Sequence, residues 1–224
     1  MSKVALMYAT GGMHPTGTGS YSYSCGFSLV VENVAYIKTV GIWGRKRASG
    51  TWKFYPAAYS RSVPGNMEIW GLSTSDTVEQ FVVRYDADGN TFWDNNYGND
   101  YFLDVTAGES TDGVGTAVLG TNVVNEGANI DGAGNMVVDV ALKNLAYTKQ
   151  VGIQYTTNGW LTWSTAIGNY QRGYSPSLPT QAQVETWEIK AAVGIGSHVM
   201  YAAFYVVNGA TYWDNNFALN YAVS

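Results

Sequence analysis

The chain has 224 residues, enough for one large β domain or for two domains of about 100 residues each. Charged residues make up only 13% of the chain and no long stretch has the 3.6-residue apolar period of an amphipathic helix, so a helical fold is disfavoured and an all-β fold is predicted. The net charge of −5 includes no basic block, which argues against nucleic acid and anionic membrane surfaces as partners.

The first residues, MSKVALMYATGG, hold an apolar run that is too short for the core of a signal peptide. Cys25 is the single cysteine, so the chain cannot form an internal disulfide. No stretch reaches membrane-spanning length. We therefore expect a protein that is made and kept in the cytoplasm.

Two segments predict half-buried strands because apolar and small or polar residues alternate along them. The first is SYSYSCGFSLVV at residues 20–31, and the second is NMVVDVALK at residues 135–143. A period of two places every second side chain on the same face of a strand. Cys25 and Phe27 are expected on one core, with Met136 and Val138 at the equivalent positions of another.

The motif that follows each of these strands is also written twice. NVAYIKTVGI at residues 33–42 matches NLAYTKQVGI at residues 144–153. Later, FVVRYDADGNTFW matches YAAFYVVNGATYW, and the Asp-Gly and Asn-Gly pairs at equivalent positions predict two tight hairpin turns. Each hairpin runs into an aromatic-rich loop, FWDNNYGNDY at residues 92–101 and YWDNNFALNY at residues 212–221.

This repetition predicts two copies of one domain. The segment TAGESTDGVGT between them is small, polar and without an apolar period, as is typical of a linker. We predict one β-sandwich at residues 1–107, a linker at residues 108–116, and a second β-sandwich at residues 117–224.

The Trp-Asp-Asn-Asn loops have the chemistry of a sugar-binding surface. An exposed aromatic ring covers the polarised C–H face of a pyranose, while amides and carboxylates bond its hydroxyl groups. The alternative is structural: the tryptophan packs under the loop, and the aspartate and asparagines hold the turn through backbone hydrogen bonds. Taken alone, Asp94 and Asp214 fit the structural interpretation better, whereas Trp93, Trp213 and the amides fit both.

The ordered set of motifs, from Asn-x-Ala-Tyr-x-Lys-x-Val-Gly-Ile to Trp-Asp-Asn-Asn, closely resembles carbohydrate-binding module family 21. That family includes starch-binding modules of fungal glucoamylases and the glycogen-binding domain of phosphatase-targeting subunits. The resemblance covers about residues 27–104 and 138–222. It implies two tandem immunoglobulin-like β-sandwiches that bind α-glucans at up to two surface sites per module.

The resemblance also implies the residues of those sites. The first site would use Asn33, Tyr36, Lys38 and Tyr59 in one copy and Asn144, Tyr147, Lys149 and Tyr170 in the other. The second would use Trp52, Trp93, Asp94, Asn95, Asn96 and Asp100 in one copy and Trp160, Trp213, Asp214, Asn215, Asn216 and Asn220 in the other.

Three departures affect the second site. Asp100 stands where the other copy has Asn220. The strand aromatic that completes this site in starch binders falls on Val82 and Ala202. The loop pairing of Trp52 with Trp160 rather than with Trp163 stays open.

Structural interpretations of other aromatic residues stay open beside these. Tyr36 and Tyr147 begin strands and could belong partly to the core, and Lys38 and Lys149 could simply be solvated. Trp70 and Trp187 lie in matched strands, and we predict that both are buried core residues.

Enzyme chemistry finds little support in the sequence. His14 and His198 occupy unmatched positions, so we predict no metal site, no cofactor and no nucleophile pair. A glycosidase would need two carboxylates across one cleft, for which Glu68 and Glu185 are a minor option.

We therefore predict a non-catalytic, lectin-like binder of oligo- or polysaccharides, with α-glucans favoured and galactose- or mannose-type ligands still open. The runner-up is a glycogen- or starch-targeting scaffold that recruits an enzyme, although no basic-Val/Ile-x-Phe/Trp docking sequence occurs. The sequence leaves any protein partner unknown.

Overall fold

The computed structural model describes residues 2–17, 20–46, 50–105, 116–174 and 181–224. Within these ranges the regular structure consists of β-strands and one short 3₁₀ helix at Asn96–Gly98, which confirms the predicted all-β class. The strands are β1 (Val4–Gly17), β2 (Ser20–Glu32), β3 (Lys38–Arg45), β4 (Lys53–Pro56), β5 (Ala58–Val63), β6 (Met67–Thr74), β7 (Gln80–Ala87), β8 (Asn90–Asp94), β9 (Tyr101–Phe102), β10 (Thr116–Leu119), β11 (Val123–Ile130), β12 (Asn135–Lys143), β13 (Lys149–Thr156), β14 (Ser164–Tyr174), β15 (Val184–Ala192), β16 (Val199–Val207), β17 (Ala210–Asp214) and β18 (Tyr221–Val223).

The chain divides into two compact units. The first comprises Met1–Gly120 with Tyr174–Gln181, and the second comprises Thr121–Gly173 with Ala182–Ser224.

The first unit contains two sheets. One has the strand order β10-β1-β2-β6-β5, and the other has the order β4-β3-β7-β8, with β9 also paired to β7. The predicted alternation is confirmed, because Cys25, Phe27 and Leu29 of β2 are all buried. Phe27 meets Phe81 of the other sheet edge to face, with ring centroids 4.9 Å apart. This contact joins the two inner faces in one apolar core.

The second unit is a single sheet in hydrogen-bonding terms, with the order β11-β12-β15-β14-β13-β16-β17 and with β18 paired to β16. Strand β14 connects its two halves because it neighbours both β13 and β15. Met136, Val138 and Val140 of β12 are buried in the core of this unit, as the alternation predicts. If β4 and β5 together are taken as the counterpart of β14, the strand order equals that of the first unit from β1 to β9.

Both predicted hairpin turns are present. Ala87 pairs with Asn90 across the first turn, and Val207 pairs with Ala210 across the second. Both turn residues have positive φ in each case, 51° and 70° at Asp88 and Gly89 and 51° and 75° at Asn208 and Gly209. These backbone angles are the reason for Asp-Gly and Asn-Gly, since other residues are strained there.

Residues 116–119 lie with the first unit, whereas the sequence predicts a second β-sandwich from residue 117. Residues 106–115 of the predicted linker region lie outside the described ranges. Thr116–Leu119 form β10, which pairs antiparallel with β1 at Tyr8–Gly11 and so extends a sheet of the first unit. Thr116, Ala117, Val118 and Leu119 are all buried there, so pairing with β1 removes this run from water.

Candidate functional site

A cleft of about 760 Å³ opens on the first unit at the predicted first site. The turn between β2 and β3 contributes Asn33 and Tyr36, and the first residue of β3 is Lys38. Tyr59 of β5 stands on the other side. The structure therefore brings together all four residues that the resemblance implied for this site in the first copy.

The floor of this cleft is a buried ion pair. Lys38 Nζ lies 2.9 Å from Glu68 Oε2, and the two side chains are only 5% and 9% exposed. The same ammonium group donates to Asn33 Oδ1, and Trp70 Nε1 donates to Glu68 Oε2 over 3.0 Å. A buried charge is tolerated when it is paired and its remaining polar atoms are bonded, and this network meets both conditions.

The rings above the floor differ in how firmly they are held. Tyr36 is 99% exposed, so it does not belong to the core. Tyr59 is about half exposed and meets Trp70 edge to face, with centroids 5.8 Å apart. One ring is thus fixed by packing, whereas the other projects into solvent beside the same cleft.

The second unit repeats the arrangement almost atom for atom. Lys149 Nζ lies 2.8 Å from Glu185 Oε2 and donates to Asn144 Oδ1 over 2.6 Å. Trp187 Nε1 donates to Glu185 Oε2 over 3.0 Å, and the Trp187 ring lies 6.0 Å from that of Tyr170 at 83°. Tyr147 is 99% exposed, like its counterpart Tyr36.

The sequence prediction does not include two glutamates and two tryptophans that form part of these sites. Trp70 and Trp187 were predicted as core residues, but both are half-buried and each turns its indole N–H toward a glutamate. Glu68 and Glu185 had been considered only as possible catalytic carboxylates. A sequence signal existed, since Glu-x-Trp occurs in both matched strands, at residues 68–70 and 185–187.

The aspartates of the Trp-Asp-Asn-Asn loops make hydrogen bonds that fix the loops to the rest of each unit. Asp94 Oδ2 accepts the backbone N–H of Leu6 on β1 at 2.8 Å, and both of its oxygens accept from the Tyr101 hydroxyl. Burial, followed by the nearby Asp94 charge, raises the pKa of Tyr101 far above its usual value. Asp214 does the same with Asn125 N–H at 2.7 Å and with the Tyr221 hydroxyl at 2.8 Å. Both aspartates therefore clamp the loop to neighbouring strands.

The asparagine side chains also form hydrogen bonds with the backbone of the loop. Asn95 Oδ1 accepts from Gly98 N–H and Asn215 Oδ1 from Ala218 N–H, both at 3.0 Å. The other matched pair spans the loop, since Asn96 and Asn216 each donate through Nδ2 to a backbone oxygen, of Asp100 and Asn220 respectively, at 2.9 Å. The structural interpretation thus describes these groups well.

The side chain of Asp100 is engaged as well. Its Oδ2 atom accepts from Gln80 Nε2 at 2.8 Å, and Gln80 in turn accepts from Arg45 Nε at 2.9 Å. Trp52 lies at the far end of this chain, with the Arg45 guanidinium 5.0 Å from its ring centroid. Trp52 is therefore held by Arg45, on the side of the loop where Asp100 lies.

The tryptophans of the loops stay open to solvent, at 45% for Trp93 and 47% for Trp213. In the first unit the Arg84 guanidinium lies 5.4 Å from the Trp93 ring and 5.6 Å from those of Trp43 and Phe54. In the second unit the Trp213 ring lies 5.6 Å from that of Phe204. The sequence prediction did not include Trp43, Phe54 or Phe204.

On the loop between β13 and β14 the two tryptophans differ. Trp160 is half-buried with φ of 69°, and its enclosed indole N–H has no hydrogen-bond partner among the described residues. Trp163 is largely exposed. Of these two rings, that of Trp163 is the more exposed to solvent.

The described ranges contain no cluster of three or more metal-ligating side chains and no helix of the length and apolar character that a membrane span requires.

Each of the comparisons with known proteins covers less than half of the chain. Mouse (Mus musculus) protein phosphatase 1 regulatory subunit 3E is 31% identical over 80 residues, which are 36% of this chain and 28% of the mouse protein. The chain thus spans less than a third of the length of this relative.

Two solved structures are similar to parts of the chain. The carbohydrate binding module of the muscle glycogen-targeting subunit of Protein Phosphatase-1 is 19% identical with a TM-score of 0.36, covering 46% of this chain and 74% of that one. The starch binding domain of Rhizopus oryzae glucoamylase, solved with beta-cyclodextrin and maltoheptaose, is 26% identical with a TM-score of 0.35, covering 46% of this chain and 93% of that one. Residues 120–224, a range that includes all of the second unit, match the family model Carbohydrate/starch-binding module (family 21).

Proposed function

We propose that the chain is a non-catalytic carbohydrate-binding protein with two tandem family 21 modules, each an immunoglobulin-like β-sandwich that binds α-glucans. The family match at residues 120–224 supports the second module. The shared strand order and the repeated ion pair support the first. The proposed modules correspond to the two compact units.

One observation carries this proposal: both units place a fully exposed tyrosine beside a buried and fully bonded Lys–Glu pair. A structural duplication requires a core to be repeated, but it does not require a solvent-exposed ring to be kept at both positions. Tyr36 and Tyr147 contribute apolar area that a ligand can cover. The repetition therefore favours a binding role at both positions.

The geometry suggests how a glucan would be held. A pyranose face would stack on Tyr36 or Tyr59, while its hydroxyl groups would bond polar atoms at the cleft floor. Asn33 supplies such a group, because its Oδ1 is used by Lys38 and no described residue accepts from its Nδ2. The ion pair fixes this amide in place, so the sugar meets donors that are already oriented.

Trp93 and Trp213 would form the second surface of each module, together with Trp52 in the first and Trp163 in the second. Asn95 and Asn215 would contribute their free amide edges, since only Oδ1 is used by the loop. Shallow sites of this kind bind in about the millimolar to micromolar range. Two modules on one chain can raise the avidity for a polysaccharide by about 10² to 10⁴ when their spacing fits.

Co-sedimentation with insoluble starch and with glycogen tests the proposal, combined with an array of soluble glycans to identify the linkage. We expect retention on α-glucans and release by soluble maltoheptaose. Binding confined to galactose- or mannose-type glycans would show that the ligand is not an α-glucan. No binding to any glycan would overturn the proposed carbohydrate-binding function.

A targeting role is the second candidate, favoured by the similarity to the mouse protein phosphatase 1 regulatory subunit 3E. In that role the chain would bring an enzyme partner to a glucan. A pull-down from cell extract with glucan-bound protein should then recover a phosphatase or an amylase in stoichiometric amount. Recovery of the chain alone favours the free-standing binder.

A further inference from the structure

Tyr36 also borders a second cleft. This cleft, of about 710 Å³, runs along the start of β3 and the β7–β8 hairpin. Ala35, Tyr36 and Lys38 line both clefts, so the two clefts adjoin at these residues. A chain-like ligand seated in the first cleft can therefore extend into the second without leaving the surface.

The wall of this second cleft is polar and ordered. Thr39, Asp86 and Thr91 stand opposite one another in a single row across β3, β7 and β8. The Thr91 hydroxyl donates to Asp86 Oδ1 at 2.6 Å, and Arg84 Nε lies 2.9 Å from Asp86 Oδ2. These bonds fix the row in place.

Two exposed polar side chains at the hairpin turn extend the row. Asp88 and Asn90 are both exposed and line the cleft. Asn90 Nδ2 donates to the backbone oxygen of Asp88 at 2.9 Å. This bond does not use the Asp88 carboxylate, which belongs to an exposed side chain. A carboxylate and an amide carbonyl are acceptors for sugar hydroxyl groups, and hydrogen bonds to an ionised acceptor are the stronger ones.

The second unit lacks most of these groups at the same positions. In its pairing register Gln150 stands opposite Val206, and Val206 stands opposite Thr211. Val206 thus replaces Asp86, and the turn carries Asn208 and Ala210 where the first unit has Asp88 and Asn90. The turn of the second hairpin, at residues 207–210, offers no carboxylate.

We propose that the first unit has an additional glycan subsite on the β7–β8 hairpin, which the second unit lacks. It rests on the proposed function, because its occupant is the continuation of the neutral glycan chain held beside Tyr36. The subsite makes the first unit selective for longer oligosaccharides, whereas the second unit binds short and long chains alike.

Site-resolved NMR titration of the whole chain with maltotriose and with maltoheptaose tests this. The backbone amide of Ala35 reports the Tyr36 cleft, and that of Gly89 reports the hairpin. Ala35 should shift with both sugars and Gly89 only with maltoheptaose. In the second unit the amide of Gly209 should shift with neither.

The double substitution Asp88→Asn with Asn90→Ala adds a functional measure, since it makes these two positions match the second hairpin. Asp88 and Asn208 share a φ of 51°, so asparagine fits the turn. Maltoheptaose affinity at the Tyr36 cleft should fall about three- to tenfold, as for one or two net hydrogen bonds, with maltotriose affinity unchanged. Asn208→Gly is the matched control in the second hairpin and should change neither affinity.

Three results would overturn the subsite. Gly89 could stay unshifted by maltoheptaose while Ala35 moves, or the double substitution could leave the length dependence intact. The control could also weaken maltoheptaose binding as much as the double substitution does. If neither Ala35 nor Gly89 responds to either sugar, the proposed α-glucan function fails and the subsite fails with it.

Discussion

Replacing Lys38 with methionine tests whether the buried ion pair organises the first cleft. The substitution keeps the aliphatic stem but leaves the Glu68 carboxylate, which is 9% exposed, without its cation. Breaking a buried pair in this way costs about 3–5 kcal/mol. The bond from Trp70 Nε1 to Glu68 remains, so we expect the lower end of the range, about 3 kcal/mol, in the free energy of unfolding of the first unit.

Two companion variants separate the cost of the unpaired Glu68 charge from the cost of changing the Lys38 side chain. Adding Glu68→Gln to Lys38→Met removes the stranded charge yet keeps an acceptor for the Trp70 indole, so about 2 kcal/mol of the loss should return. Lys149→Met is the matched substitution in the second unit and should lower the unfolding transition of that unit instead.

Urea unfolding followed by tryptophan fluorescence measures these free energies, and titration of each variant with maltoheptaose measures the cleft. We expect Lys38→Met to weaken binding at the first cleft, because Asn33 loses the ammonium that orients it. A destabilisation of less than about 1 kcal/mol, or a double variant no more stable than Lys38→Met, would refute the reasoning.

Two further predictions concern stability. Asp94→Ala strands the Leu6 N–H and the Tyr101 hydroxyl and should cost about 3 kcal/mol in urea unfolding, whereas binding at the Tyr36 cleft should persist; an unchanged stability would show that the loop clamp is dispensable. Burial raises the pKa of Tyr201 to about 12, so the folded protein holds this proton more tightly than the unfolded chain, whose tyrosine pKa is about 10. Its contribution to the free energy of unfolding is therefore complete below pH 10 and is lost as pH rises to 12, at a rate of at most about 1.4 kcal/mol per pH unit. Tyr201→Phe should flatten this slope in unfolding measured from pH 9 to 12, and an equal slope in both proteins would contradict the assignment.

Much of the fold can be predicted from the sequence, because the local patterns of apolar residues and turn residues agree with one another. Alternation in β2 and β12 predicts which side chains are buried, and the Asp-Gly and Asn-Gly pairs predict both hairpins. The pairing of strand β10 is not predictable in this way, since its four residues are too few to show an apolar period of their own. Their place is decided by pairing with β1, a contact distant in sequence.

The first site was predictable in outline because its residues follow one short repeated motif. The floor is harder to predict, since a single glutamate in a strand, such as Glu68, does not differ in sequence from a solvated one, and only the repeated Glu-x-Trp pattern marks it. Asp94 presents a different problem. Its residue type favours a structural role and the family resemblance implies a sugar contact, but its partners on β1 and β9 are evident only in the folded chain. Long-range hydrogen bonds of this kind leave no local pattern.

Isothermal titration calorimetry with maltoheptaose tests the central claim most directly, on the natural chain and on Tyr36→Ala, Tyr147→Ala and the double variant. Both rings are 99% exposed, so these substitutions should change the free energy of unfolding by less than about 0.5 kcal/mol. Each single variant should remove one binding site per chain, and the double variant should remove two. Unchanged stoichiometry and affinity in the double variant would contradict the account.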